Sequence, residues 1–175
     1  MTPIFLAIAI AATPTAAPLS NTPVATLDLA RYAGQWHEIA HLPMFFQRKC
    51  AGDITARYTV QPDGTIEVRN ACRTTSGGHD ESVGAARPGS LPGALEVRFA
   101  PAWLGWLPAV WADYWVIELD PEYRWAVVGG PSRKYLWVLS RTPAMDRATF
   151  EGIRSRAAQR GYPVDKLVMA AELRP

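Results

Sequence analysis

Residues 37–41 read His37-Glu38-Ile39-Ala40-His41. On a helix this H-E-x-x-H spacing stacks two imidazoles on one face for zinc and leaves the carboxylate between them as general base. On a strand the same residues advance about 3.3 Å each, so the imidazoles stand roughly 13 Å apart. One zinc ion, which takes nitrogens at about 2.1 Å, cannot then bind both. Local periodicity admits either state, since Leu29, Tyr32, Ala33, Trp36 and Ala40 fit a helical stripe with Asp28 as N-cap. Such a helix must tolerate Gly34 and stop before Pro43, and His79, in a Gly-rich stretch, is the only other imidazole. The strand reading assigns Trp36, Glu38 and Ala40 to one face and His37, Ile39 and His41 to the other, with both histidines outward. No metal is assigned, and a zinc metallohydrolase through His37 to His41 is kept as an alternative function.

The remaining chemistry-bearing side chains suggest binding rather than catalysis. No Ser/His/Asp or Cys/His constellation has the context a nucleophile needs, so the chain is read as a non-enzyme without a cofactor. Glu38, on an interior face, must be paired, hydrogen-bonded or protonated. It is either a buried acid satisfied by a Tyr or Arg, or the receiver of a polar group of a ligand. The only cysteines are Cys50 and Cys72, an even count that in an oxidising compartment suggests one bridge. If Val60 pairs with Thr65 across the Gln61-Pro62-Asp63-Gly64 turn, Cys72 falls opposite Asp53, three positions from Cys50, and modest bending closes the gap. Two free thiols are the alternative, and without a C-x-x-C a redox-active pair is not supported.

The elements that must position these groups are mostly strands. The 175 residues suffice for one domain. Fifteen Pro, 13 Gly and seven Trp in short apolar runs favour an all-β barrel or sandwich. Lys and Arg number 18 against 16 Asp and Glu, which gives no reason to expect a nucleic-acid partner. Residues 1–22 read as an export signal and leader: Ile4 to Ala12 is apolar but too short to span a bilayer, and small residues follow from Thr13 to Ala17. No Lys or Arg precedes the run, and no Cys occurs before residue 50 to serve as a lipid-modified N-terminus. An exported, periplasmic protein, associated with the outer membrane, is the expected localisation.

From residue 23 to 175 the pattern is eight strands in meander order, a helix and a last strand. After the first strand come Ile54 to Val60, Thr65 to Ala71, Glu81 to Ala86 and Ala94 to Phe99, then Asp113 to Leu119, Arg124 to Val128 and Tyr135 to Arg141. Asp146 is the expected N-cap of a helix whose face carries Phe150, Ile153, Ala157 and Ala158, and which stops at Gly161. Val164 to Ala170 is the last strand.

Three separated segments carry a family resemblance: Arg31-Tyr32-Ala33-Gly34-Gln35-Trp36-His37-Glu38-Ile39-Ala40, Asp113-Tyr114 running into Leu119-Asp120-Pro121-Glu122-Tyr123-Arg124, and Tyr135-Leu136-Trp137-Val138-Leu139-Ser140-Arg141-Thr142-Pro143. In this order and spacing the chain resembles the lipocalins, most nearly the bacterial lipocalin and apolipoprotein D branch. Ala112 departs from the family, which more often has Thr before Asp113-Tyr114. The resemblance implies an all-β, eight-stranded antiparallel up-and-down barrel with one C-terminal helix packed outside, wide enough inside for one small ligand. It further implies binding and storage or transport of a hydrophobic molecule, a fatty acid or lysophospholipid, in maintenance of the cell envelope. Gly34, Trp36 and Arg141 match the family's structural motif, the guanidinium stacking on the indole at the closed end.

With Arg141 inward, alternation brings Leu139, Trp137 and Tyr135 to the same face, and Glu38, Tyr58, Val97, Phe99 and Tyr114 join them as ligand-binding candidates. In this topology the first, third, fifth and seventh connections lie at the open end. They gather Met44, Phe45, Phe46, Trp103, Trp106 and Trp111 with the basic Arg133 and Lys134 around a mouth. Apolar residues where loops should be polar suggest contact with a membrane surface, with a homodimer or an inward-folded lid as the other uses of the same rim. An envelope-interaction module with a filled barrel is the second alternative function.

Overall fold

The computed structural model describes residues 17–175, so residues 1–16 of the expected leader lie outside the described residues. The folded body starts ahead of residue 23. The Leu19 amide donates to the Gln159 carbonyl at 3.0 Å, and the Asn21 side chain donates to the Gly130 carbonyl at 3.0 Å.

The ambiguous first stretch resolves into both of its readings in succession. Asp28 accepts from the Ala30 and Arg31 amides and caps a single helical turn, α1 (Leu29–Tyr32). The chain then turns at Gly34, whose φ of 96° lies where an L side chain is strained, and runs on as β1 (Gly34–His41). The Arg141 Nη1 stands 3.3 Å from where a Gly34 Cβ would be, so glycine also leaves room for the guanidinium. The strands β2 (Cys50–Val60), β3 (Ile66–Thr74), β4 (His79–Pro88), β5 (Ala94–Arg98), β6 (Ala112–Leu119), β7 (Trp125–Gly129) and β8 (Trp137–Ser140) follow. Each pairs with the next, and β8 pairs back onto β1, which closes an eight-stranded antiparallel barrel.

One core lies inside the barrel and one outside. Trp36, Val68, Leu95, Val116 and Val128 fill the interior. The helix α2 (Arg147–Gln159) lays Phe150, Ile153 and Ala157 on the outer wall against Ile39, Ile117, Val127 and Val138. Ala158, expected on that face, is exposed, because it lies a further helical step round from Ala157. Two bulges serve this outer contact. The β1–β8 register shifts between Glu38 and Ala40, and the β6–β7 register shifts between Val116 and Glu118. Each inserts one residue, so that Ile39 and Ala40, and likewise Ile117 and Glu118, turn outward in succession. Glu118 then meets Arg156 at 2.5 Å and Arg160 at 3.2 Å on the helix.

The β2–β3 pair runs Val60 opposite Ile66 rather than Thr65, with two irregularities between Cys50 and Thr55. These bring Cys50 opposite Thr74 and its Cα to 5.6 Å from that of Cys72, and the disulfide forms. The expected last strand, Val164 to Ala170, is shorter than its sequence suggests. Val164–Lys166 is a 3₁₀ turn, and only β10 (Val168–Met169), numbered after β9 (Met145–Asp146), pairs with Ala40 and His41 of β1. β2 pairs only with Gly34 to His37, so that edge of β1 is free beyond His37. A parallel pair of β9 with β11 (Leu173–Arg174) ends the fold.

Candidate ligand-binding site

The closed end is built around one arginine. The Arg141 guanidinium lies 3.8 Å over the Trp36 ring and donates to the carbonyls of Gln35 (2.9 Å), Arg31 (2.6 Å), Tyr32 (3.1 Å) and Tyr123 (3.3 Å). The Trp36 indole N–H donates in turn to the Tyr32 carbonyl at 2.8 Å. Beside it the turn Asp120 to Arg124 closes on itself. The Asp120 carboxylate accepts from the Glu122 and Arg124 amides and from the Arg124 guanidinium, which holds its carboxyl below the usual carboxylate range. Arg31 stacks on Tyr123 at 4.1 Å. Gly34, Trp36 and Arg141 thus form a plug at the floor.

Above the plug, Tyr114 stands between two other phenols, its hydroxyl 2.7 Å from that of Tyr32 and 2.7 Å from that of Tyr58. Burial pushes the Tyr58 hydroxyl up to about 12 and those of Tyr32 and Tyr114 well above their ordinary value. All three are therefore protonated at physiological pH.

Over this layer opens a cavity of about 530 Å³. Glu38, Tyr58, Val97, Phe99, Tyr114, Tyr135 and Trp137 all line it, together with Leu139, Phe46 and Asn70. Tyr135 stacks on Trp137 with ring centres 6.0 Å apart, and Phe46 reaches Tyr135 at 6.3 Å. Glu38 is a satisfied buried acid, with partners other than the Tyr or Arg expected. One carboxylate oxygen takes the His41 ring nitrogen at 2.5 Å, and the other accepts from the Gln47 amide at 2.8 Å. The Gln47 carbonyl oxygen accepts from the Trp137 indole at 3.3 Å, so this residue bridges the first loop to two strands.

His41 is the main correction to the strand reading. The bulge at Ile39 turns it off the outer face and toward Glu38, where it is buried, while His37 stays on the wall. Its ring lines a smaller pocket of about 270 Å³ on the flank, beside Met44, Phe45 and Arg48. The helix that zinc ligation requires ends at Tyr32, and the two imidazoles sit on opposite sides of a strand. Among the described residues no group of three or more His, Cys, Asp or Glu is arranged to hold a metal ion.

The rim is less uniform than its sequence. Phe45, Trp103 and Trp106 project outward, 76 %, 74 % and 77 % exposed, and none of the three lines the cavity. Met44 is instead buried at 6 % exposure. Trp111 leaves the mouth for the outer wall, where Arg87 stacks on it at 4.1 Å and its N–H ties down the Gly105 carbonyl. Arg133 turns to the end of α2 and donates to the Arg160 carbonyl at 2.6 Å, while Lys134 stays exposed. Lys49 pairs with Asp80 at 2.7 Å inside the mouth.

Alternation signals missed Tyr32, which sits before the first strand, and Gln47, which sits in a loop without periodicity.

Residues 27–172 match the description of a lipocalin-like domain. The chain is 43 % identical over 146 residues to temperature-induced lipocalin-1 of Arabidopsis thaliana, covering 81 % of this chain and 77 % of that one. It is 36 % identical over 155 residues to the outer membrane lipoprotein Blc of Vibrio cholerae, covering 86 % of each. Apolipoprotein D of Mus musculus is 27 % identical over 149 residues, covering 80 % of this chain and 74 % of its own. Among solved structures, insecticyanin of the tobacco hornworm Manduca sexta superposes with a TM-score of 0.66 at 20 % identity, covering 91 % of this chain and 88 % of that one. The cockroach allergen Per a 4 superposes at 0.67 and 19 % identity, covering 89 % and 94 %. At that identity the superpositions speak for the fold alone. Matched from residue 27 to 172 by the family's description and 43 % identical to one of its members, the chain belongs to the lipocalin family.

Proposed function

We propose that the protein binds and carries a small hydrophobic ligand, with a fatty acid or lysophospholipid as the first candidates, in maintenance of the bacterial cell envelope. The observation that carries this reading is the cavity of about 530 Å³ above the tyrosine layer. Its size falls within the roughly 300–1,000 Å³ usual for small-molecule sites, and aromatic and aliphatic side chains supply most of its wall. Support for an exported, periplasmic position near the outer membrane comes from the apolar N-terminal run and from the likeness to outer membrane lipoproteins. The reading includes no chemistry: Cys50, which lines the flank pocket beside His41, is bridged to Cys72 and is not available as a nucleophile.

The mouth, in the same proposal, meets a membrane surface. Phe45, Trp103 and Trp106 stand out into solvent, and Arg48 and Lys134 are exposed cations on connections at the same end of the barrel, a combination suited to the headgroup region. A rim-to-rim dimer is the competing use of those side chains.

The deciding experiment is native mass spectrometry of the exported protein, followed by solvent extraction of whatever co-purifies. A stoichiometric hydrophobic molecule is the expected result, and its identification decides whether it is a fatty acid, a lysophospholipid or another lipid. A protein that arrives empty and takes up nothing from a lipid panel overturns the carrier reading in favour of an envelope-interaction module.

A further inference from the structure

The charged groups facing the cavity are unbalanced. Glu38, Asp80 and Asp113 bring three carboxylates, and Lys49 one ammonium. Lys49 is already held by Asp80 at 2.7 Å. His41, which bonds Glu38, lines the flank pocket behind it, and so does Arg48. Arg141 lies beneath the floor, turned to Trp36 and backbone carbonyls. Among the described residues no cation therefore faces the cavity unpaired. A ligand carboxylate drawn inside would lose its hydration without gaining an unpaired counter-ion.

The floor offers a donor instead. The phenols of Tyr32, Tyr114 and Tyr58 carry three protons, and the two hydrogen bonds that join them use two. Tyr32 does not line the cavity, whereas Tyr58 and Tyr114 do. A third proton left on Tyr32 would be buried without an acceptor, so the favourable arrangements deliver it to the cavity from Tyr58 or Tyr114. Burial holds these hydroxyls protonated through the physiological range.

We propose that the cavity selects an uncharged apolar molecule bearing an acceptor oxygen, such as an alcohol, ketone, ester or amide, and seats that oxygen on the Tyr58–Tyr114 hydroxyls. This rests on the carrier reading above and narrows it, setting aside the free carboxylate as the preferred head. The apolar body extends from the tyrosine layer toward Phe99 and Trp137.

The test titrates delipidated wild-type protein, by tryptophan emission at neutral pH, with a saturated carboxylate and with the primary alcohol and methyl ketone of equal chain length. The alcohol and ketone are expected to bind at least about tenfold more tightly than the carboxylate. In Tyr58→Phe/Tyr114→Phe, which removes both cavity donors while keeping the rings, their affinity falls about tenfold and that of the carboxylate falls less. If this variant does not fold, Asp80→Asn serves: releasing Lys49 is expected to raise carboxylate affinity about tenfold and leave the alcohol unchanged. A carboxylate that binds wild type as tightly as the alcohol overturns the inference and leaves the carrier reading standing. Failure of all three to bind overturns both.

Discussion

Arg141 closes the barrel through Trp36, its guanidinium 3.8 Å above the indole while its N–H groups fork onto four carbonyls from three segments of chain. Removing the fork takes this donor from the Gln35, Arg31 and Tyr123 carbonyls at a half-buried floor and leaves the Tyr32 carbonyl with the Trp36 indole alone. Arg141→Ala is expected to destabilise the protein by about 2–4 kcal/mol. Arg141→Lys should recover only part of this, because an ammonium cannot copy the planar fork. Urea midpoints at constant m-value check both.

Glu38→Gln removes one interior carboxylate while keeping a side chain able to bond His41 and Gln47. Affinity for a carboxylate ligand is expected to rise about tenfold, against a change below about threefold for an alcohol of the same length. Unchanged binding of both ligands would speak against a role for Glu38 in reading the ligand.

The tyrosine layer makes the barrel sensitive to alkali. In the unfolded chain each phenol loses its proton near its ordinary 10.0, whereas folded Tyr58 retains its own to about 12. The folded state thus binds more protons in that interval, so stability is full below pH about 10 and falls as pH rises toward 12. Urea midpoints taken across this window should decline, and Tyr58→Phe should make the decline shallower.

The Cys50–Cys72 bridge spans 22 residues and fastens the mouth end of β2 to β3. Its removal in Cys50→Ser/Cys72→Ser is expected to cost about 2–4 kcal/mol. Denaturant unfolding of the wild type with and without reductant should reproduce the same loss.

For the rim, co-sedimentation with vesicles containing anionic lipid should fall at least about fivefold in Trp103→Ser/Trp106→Ser while the fold is unchanged. Equal binding by both proteins would remove the membrane from the proposal, and a variant that loses a dimer instead would point to pairing between copies.

The barrel itself was legible because segments such as Ala94 to Phe99 alternate and turns carry their own chemistry, as at Pro62-Asp63-Gly64. The helix face of Phe150, Ile153 and Ala157 and the Trp36–Arg141 stack followed from spacing and resemblance. The side to which His41 points was not legible. Ile39 and Ala40 are both apolar, so a strand with a bulge and one without read alike until a partner strand fixes the register. The same limit shifted the β2–β3 pairing by one residue and hid the outward turn of Glu118. Trp111 counted as a rim aromatic from its neighbours in sequence, but the two arginines that pull it to the wall come from β4 and β5. Gln47, in a loop, shows its role only once Glu38 and Trp137 are brought to either side of it.

The N-terminal segment also gives the molecule a direction. It is fastened first near the open end, where Leu19 bonds the last residue of α2 and Asn21 bonds Gly130 after β7, and it then descends past Val24, bonded to Val116, to the cap at Asp28. A pull applied through that segment meets the helix end and the β7–β8 turn before it reaches any strand of the hoop.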